Sequence, residues 1–350
     1  MAPVQPALRS YLHQYIPEIE REMFSFLPVQ EPEGFLYGPM RDYPERGGKR
    51  FRPALVLLAC EALGGDAAKA MRTAAAFEMF QSFAVVHDDI EDDSDFRRGK
   101  PCIHKLHGIP LSVNVGDALY SKVFEMLCAN QEIFPSSMVL ELIQEMVRGS
   151  RETFEGQAFD VGWIRQSHIP TEAEFMVMLR KKTGWYTGRG PCIAGAIIAD
   201  ADADMRATIA HFGEEMAVAF QIRDDLLNLT THAKDADIAP GVMSGAYGKE
   251  RGGDIAEGKR TLIIIDLLRK CSDSESIEVL EILHRDRESI SSDEIEHVID
   301  LVERYGCTVY ADEVCQRIAK VSLEYLEKLP PTPARDIMGE MLEFLIRRAF

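Results

Sequence analysis

The stretch "HDDIEDDSDFRRGKP", from His87 to Pro101, packs six acids into eight residues: Asp88, Asp89, Glu91, Asp92, Asp93 and Asp95. Arg97, Arg98 and Lys100 follow at once. Phe77, Phe80 and Ala84 step along one helical face, and Asp88 and Asp92 continue it at four-residue steps. Gln81 lies about two turns before Asp88 on nearly the same side. A second stretch repeats the pattern: Ile209, Phe212, Met216 and Phe220 lead into Asp224 and Asp225. Either cluster alone reads as a solvated helix end. Acids at a helix C-terminus oppose the macrodipole, however, and two such helices in one chain favour a shared use. Inward carboxylates are costly unless neutralised. Mg²⁺ neutralises them, taking one or two carboxylates per ion and completing its octahedron with water and phosphate oxygens. Two facing clusters holding Mg²⁺ would receive a diphosphate.

Cations for such an anion sit in four other places. "ERGGKRFRP" carries Lys49, Arg50 and Arg52, and "RRGKP" carries Arg97 and Arg98. "RKKTG" carries Lys181 and Lys182, and "GKERGGDIAEGKR" carries Lys249 and Lys259. One basic cluster is ordinarily a surface patch. Four, each at a helix end or loop of an acidic chain, point to anion binding.

The elements that must position these groups read as helices. "DAAKAMRTAAAFEMFQSFAVVHDD" is Ala-rich, lacks Gly and Pro, and is too long for a strand. "MRATIAHFGEEMAVAFQIRDDLLNL", the segment from Pro135 to Trp163 and the segment from Asp293 to Leu329 share the helical period. "LVLLAC" alone could be a short buried strand, but no alternating partner follows it. Breaks fall at "PVQEPEGFLYGP", "RRGKP", "HGIP", "APGVMSGAYGKERGG" and "LPPTP". With no repeat and no convincing linker, the expected architecture is an all-α helical bundle in one domain over residues 1–350.

Composition narrows the classes. The 350 residues are 46% hydrophobic, enough for a sizeable core. A formal net charge of -18 argues against a nucleic-acid backbone binder. Seven cysteines with no CxxC pair fit free thiols in a reducing compartment. No signal peptide is read at the N-terminus and no run is apolar enough to span a bilayer, so the expectation is a cytoplasmic protein.

These stretches resemble the trans-isoprenyl diphosphate synthases, the family of farnesyl and geranylgeranyl diphosphate synthases. The matching pieces are "GGKRFRP", "HDDIEDDSDFRRGKP", "HKLHG" with "VGDALY", "EGQAFD", "KKTG", "FQIRDDLLNL" and "YGKERGGDIAEGKRTL", in the family's order from about Gly47 to Leu262. The resemblance implies the isoprenoid synthase fold with a central cavity. It implies prenyl transfer from an allylic diphosphate to isopentenyl diphosphate, and a homodimer. It implies three Mg²⁺ per site, with Mn²⁺ able to substitute. Asp88, Asp89 and Asp92 match the first DDxxD motif and by that resemblance are its expected metal ligands, Asp88 and Asp92 holding two ions. Asp224, with Asp225 beside it, would hold the third. Asn228 stands where many members carry the last Asp of the second motif, which weakens any ligand role there. Arg97, Lys182, Thr183, Gln221, Lys249 and Lys259 match the allylic diphosphate contacts. Lys49, Arg52, Gln81 and Arg98 match the isopentenyl diphosphate pocket.

The chemistry implied is ionisation of the allylic carbon–oxygen bond, attack by the isopentenyl double bond and proton loss to the departing pyrophosphate. Product length follows from the face below Asp88. Phe83 is five residues earlier, about 7.5 Å along the axis at about 1.5 Å per residue. In the family an aromatic residue there beside a small one, here Ala84, goes with geranylgeranyl products, and Phe80 a turn deeper would be a second floor. Farnesyl or longer products are the alternatives. A class I terpene cyclase would not need the "GGKRFRP" pocket, and a silent regulatory subunit would commonly lack one aspartate motif.

Two decoys fall away. "GDIAEGKR" nearly spells a P-loop, but no Ser or Thr follows Lys259 and no strand precedes it. His104 and His107 lack further zinc ligands at suitable spacing. The segment from Asp224 to Lys249 looks several residues longer than the family's usual loop, either a mobile lid or a neutral insertion.

Overall fold

A computed structural model describes residues 5–230 and 251–347. The chain opens with α1 (Pro6–Ser25), α2 (Gly38–Glu45), α3 (Phe51–Ala62) and the long α4 (Ala67–Glu91). After a small hairpin come α5 (Ile103–His107), α6 (Ile109–Ala129), α7 (Ser136–Arg165) and α8 (Glu172–Leu179). Then follow α9 (Gly190–Ile198), α10 (Ala203–Thr230), α11 (Gly253–Ala256) and α12 (Leu262–Lys270). The C-terminal part adds α13 (Asp273–Leu283), α14 (Ser292–Arg304), α15 (Cys307–Leu326) and α16 (Pro333–Ile346). The fold is all-α, as the periodicity indicates.

Local chemistry explains the element ends. Asp66 caps α4 by accepting from the Ala68 N–H, and Thr171, Ser272 and Ser291 start α8, α13 and α14 with reciprocal capping boxes. The "LVLLAC" segment is helix, not strand. It lies within α3, where Ala54 to Cys60 are all buried between α4 and α9. An all-round apolar surface marks a central helix, which erases the periodicity that would have identified it. The break read at "PVQEPEGFLYGP" holds a π-helical turn, Glu33–Tyr37, that runs into α2.

The centre is built by α4, packed on α3 and α6, and by α10, packed on α9 and α15. Ala70, Ala74, Ala75 and Ala76 of α4 are buried, so neighbouring helices approach its backbone closely. Between α8 and α9 the helix widens into a π-helical stretch, Arg180–Arg189. This stretch touches α7 and α10 where glycines permit it. A Cβ on Gly156 would lie 2.2 Å from the Lys182 nitrogen, and one on Gly188 would lie 1.8 Å from the Gly213 carbonyl oxygen. The "RRGKP" break is a two-stranded hairpin pairing Phe96–Arg97 with Lys100–Pro101. Arg98 and Gly99 at its tip have φ of 54° and 73°, the positive values a type I′ turn requires. The turn folds the arginines back against the end of α4.

Candidate active site

A cavity of about 400 Å³ opens at the C-terminal ends of α4 and α10. Asp88 reaches it from α4 and Asp224 and Asp225 reach it from α10, so the two acidic clusters do face one space. Lys182 and Thr183 come from the π-helical stretch, Arg97 and Arg98 from the hairpin, Arg52 from α3, and Lys259 from the segment after α11. Gln81, Phe83, Ala84 and Gln221 complete the expected residues on its wall.

The first cluster is knotted to cations. Lys182 Nζ donates to Asp160 Oδ2 at 2.6 Å and lies 3.4 Å from Asp88 Oδ1. Lys259 Nζ lies 2.8 Å from Asp92 and 2.6 Å from Glu257. Burial works against the charge on both lysines, but the surrounding carboxylates outweigh it and raise both pKa values. Asp92, its side chain only 4% exposed, is pushed up to about 6 by burial, against the pull of Lys259 and with a further push from Asp88. It sits just behind the cavity wall, under Lys259.

Asp89 departs from the expectation of a metal ligand. It is fully buried off the wall, with one oxygen taken by Arg97 and the other by the Tyr43 hydroxyl. Its role here is to hold the hairpin arginine against α4.

The second cluster has a different environment. Gln221 Nε2 donates to Asp225 Oδ1 at 3.0 Å, and Thr183 Oγ1 donates to Gln221 Oε1 at 3.4 Å. Burial, then Asp254 and Asp224, raise the Asp225 pKa well above its usual value. Asp254 also lines the cavity and was not foreseen. Asn228 explains how it gets there. Its fully buried side chain accepts from the Asp254 N–H at 3.1 Å, and its carbonyl accepts from Gly252 at 2.8 Å. Asn228 therefore clasps the α11 turn to α10 and does not present a ligand to the cavity.

The remaining expected residues separate into two groups. Arg52 is held by the Thr187 and Tyr186 hydroxyls and stacks 4.7 Å from the Tyr186 ring centre. Arg98 donates to the Tyr43 and Gly47 carbonyls, and burial pushes its pKa down to about 10. On the same wall Gln81 keeps a buried Oε1 with no hydrogen-bond partner among the described residues. Lys49, by contrast, lies off the wall with its Nζ 5.7 Å from the Phe344 ring centre. Arg50 is structural: buried, it bonds Glu20, Glu78 and the Pro44 carbonyl. Lys249 and nearly all of the long loop fall outside the described residues.

One stretch of the wall is aromatic. Phe83 lines the cavity, and its ring centre lies 4.8 Å from Tyr120, 5.3 Å from Phe80 and 5.9 Å from Phe154. Phe80 is 1% exposed and sits beneath this layer, off the wall.

The carboxylates suit a divalent cation shared with a phosphate ligand. Among the described residues no three His, Cys, Asp or Glu side chains converge as a ready-made metal cage. Mg²⁺ does not need one, since it keeps water and substrate oxygens in its shell. Burial first of all raises the pKa values of Asp92 and Asp225 and so favours their neutral forms, which a bound cation would reverse. Residues that sequence reasoning missed, Asp160, Glu257, Asp254 and Tyr43, all orient the expected ones. The signal for Asp160 was present in "EGQAFD", where Gln157 and Asp160 are three apart on one helical face.

Comparison with known proteins agrees with this fold. The family model for polyprenyl synthetase matches residues 33–302. A short chain isoprenyl diphosphate synthase of Methanothermobacter thermautotrophicus is 35% identical, covering 86% of this chain and 87% of that protein. A geranylfarnesyl diphosphate synthase of Natronomonas pharaonis is 33% identical, covering 93% of each. The crystal structure of geranylgeranyl pyrophosphate synthetase from Pyrococcus horikoshii superposes with a TM-score of 0.86 at 31% identity, covering 98% of both chains. The chain belongs to the polyprenyl synthetase family of prenyltransferases.

Proposed function

We propose that this enzyme condenses isopentenyl diphosphate with an allylic diphosphate and that its main product is geranylgeranyl diphosphate. The observation that carries the reading is that the acids, the cations and Phe83 line one cavity. Asp88, Asp92 and Asp224 would hold Mg²⁺, with Asp225 and Asp254 close by. Bound there, the metal would neutralise charge on the leaving pyrophosphate.

The chain's own residues do the rest. Arg97, Lys182 and Lys259 bind the allylic diphosphate and stabilise the negative charge that grows as its carbon–oxygen bond breaks. Lys182 and Lys259 are engaged with Asp160, Asp92 and Glu257, so they turn to phosphate as those carboxylates find other partners. Arg52, Arg98 and Gln81 bind isopentenyl diphosphate, whose double bond attacks the allylic cation. The proton then lost goes to the released pyrophosphate. The aromatic and aliphatic wall keeps water from the cation.

The tail of the growing product runs along α4 toward Phe83. Assays with radiolabelled isopentenyl diphosphate and dimethylallyl, geranyl or farnesyl diphosphate, followed by chain-length analysis, test the product. Phe83→Ala should lengthen it and Ala84→Phe should shorten it toward farnesyl. An unchanged distribution in a folded, active Phe83→Ala enzyme would place the floor elsewhere.

The protein acts as one domain and as a homodimer in the cytoplasm. Supporting the dimer, Ile109 and Val113 of α6 and Leu140, Val147 and Phe154 of α7 are exposed on adjacent helices. A monomer mass by light scattering at micromolar concentration would contradict it. No described helix is long and apolar enough to cross a membrane.

A further inference from the structure

Arg260 is a guanidinium that the proposed chemistry leaves unused. It lies directly before Thr261, the N-cap of α12, and it lines the same cavity as Lys182 and Asp160. It is 1% exposed. Its Nη1 donates to the Gly258 carbonyl, but Nε and Nη2 have no partner among the described residues. Buried donors without acceptors are costly, and a buried guanidinium especially so. Burial accordingly depresses its pKa, and the charge that works in its favour is that of Asp160.

Asp160 is close by. Gly258, with φ of 67°, passes between α13 and α7: a Cβ there would lie 2.6 Å from the Leu283 carbonyl oxygen and 3.7 Å from Ile164, one turn beyond Asp160. Asp160 is itself 7% exposed and accepts from Lys182 at 2.6 Å. If Lys182 is a diphosphate ligand, turning it to the phosphate strands a buried carboxylate. The molecule holds two unused donors on the same wall.

We propose that Arg260 is a positioning residue: it takes over the Asp160 carboxylate when Lys182 turns to the diphosphate, and so releases that lysine for binding. The proposal rests on the reading of Lys182 given above. Arg260 does not touch the reacting atoms. Its free Nε and Nη2 are the two donors suited to one carboxylate.

The test is a double-mutant cycle between Arg260→Met and Asp160→Asn in the full chain. The readouts are the dissociation constant of inorganic pyrophosphate with Mg²⁺, and KM for the allylic diphosphate against kcat. In the otherwise native chain Arg260→Met should weaken pyrophosphate binding by about tenfold and raise KM accordingly. In the Asp160→Asn background, where no carboxylate needs a second partner, the same change should cost less than about twofold. Arg260→Lys should recover part of the loss. An equal loss in both backgrounds, or none in the native one, overturns the proposal, because support of the Gly258 carbonyl alone would be indifferent to Asp160. The cycle is repeated with Arg260→Gln, which keeps a donor for that carbonyl should the Met variant not fold. Lys182→Ala separates the two readings. If it weakens pyrophosphate binding while Arg260→Met does not, only the Arg260 role fails. If it changes nothing, the Lys182 reading fails and this role with it.

Discussion

The two acidic clusters share one cavity but are compensated differently. In the first, Asp89 is saturated by Arg97 and Tyr43, and Asp92 lies against Lys259. In the second, Asp225 accepts from the neutral Gln221 amide, and the like charges of Asp254 and Asp224 push its pKa up after burial does. Asp92 settles at about 6, whereas Asp225 is driven well above the usual carboxylate range. Lys259 thus lies 2.8 Å from Asp92 in the first cluster, whereas in the second Asp225 is met by an amide. A carboxylate's residue type does not decide its role; what surrounds it does.

The largest expected effect breaks both halves of this contrast. Asp88→Ala and Asp224→Ala should each lower kcat/KM by at least about a hundredfold with the fold retained by circular dichroism. Near-normal turnover in either variant would refute the metal assignment for that cluster.

Lys259→Met sharpens the contrast and should have an intermediate effect. Turnover should fall by about tenfold or more, since a phosphate contact is lost. Yet Mg²⁺ alone should stabilise this variant against heat at lower concentration than the native chain, because Asp92 no longer has a competing lysine. An unchanged Mg²⁺ dependence of the melting midpoint would show that Lys259 does not mask the first cluster.

The smallest effect comes from acids with the opposite surroundings. Glu275 is held down to about 2 chiefly by hydrogen bonds to Ser272 and Tyr305, and Glu294 to about 2 by Ser291 and Arg285. A depressed carboxylate pKa contributes stability above the unfolded value, and that stability is lost as pH falls through the folded value. Glu275→Gln or Glu294→Gln should therefore lower the melting midpoint at neutral pH by at most about 3 °C. The difference from the native chain should shrink between pH 4.5 and 2. A difference that persists unchanged to pH 2 would show that the carboxylate charge is not its source.

What the sequence made legible was pattern that survives burial on one side. Asp88 and Asp224 could be placed because each ends an apolar stripe of helical period, and Lys182 and Lys259 because they sit in compact basic motifs. The helix α3 was less legible, since burial all round leaves no polar face to count. Lys49 shares a motif with Arg52, yet one reaches the cavity and the other lies by Phe344, a difference set by the direction in which α3 begins. Asp160 and Asp254 were missed because their roles depend on partners distant in sequence. Asp254 in particular is tied into the site by an Asn228 bond between residues far apart in the chain. The π-helical widening at Arg180–Arg189, which turns Lys182 and Thr183 toward the cavity, leaves no periodic mark that distinguishes it from ordinary helix.

Calorimetric titration of inorganic pyrophosphate, with Mg²⁺ or with EDTA, into the native chain and into Asp88→Ala and Asp224→Ala is the most direct measurement. The expected result is tight binding to the native chain only when Mg²⁺ is present, and marked weakening in both variants. Equal affinity in EDTA, or native affinity in both variants, would contradict the claim that the two clusters hold a diphosphate through metal.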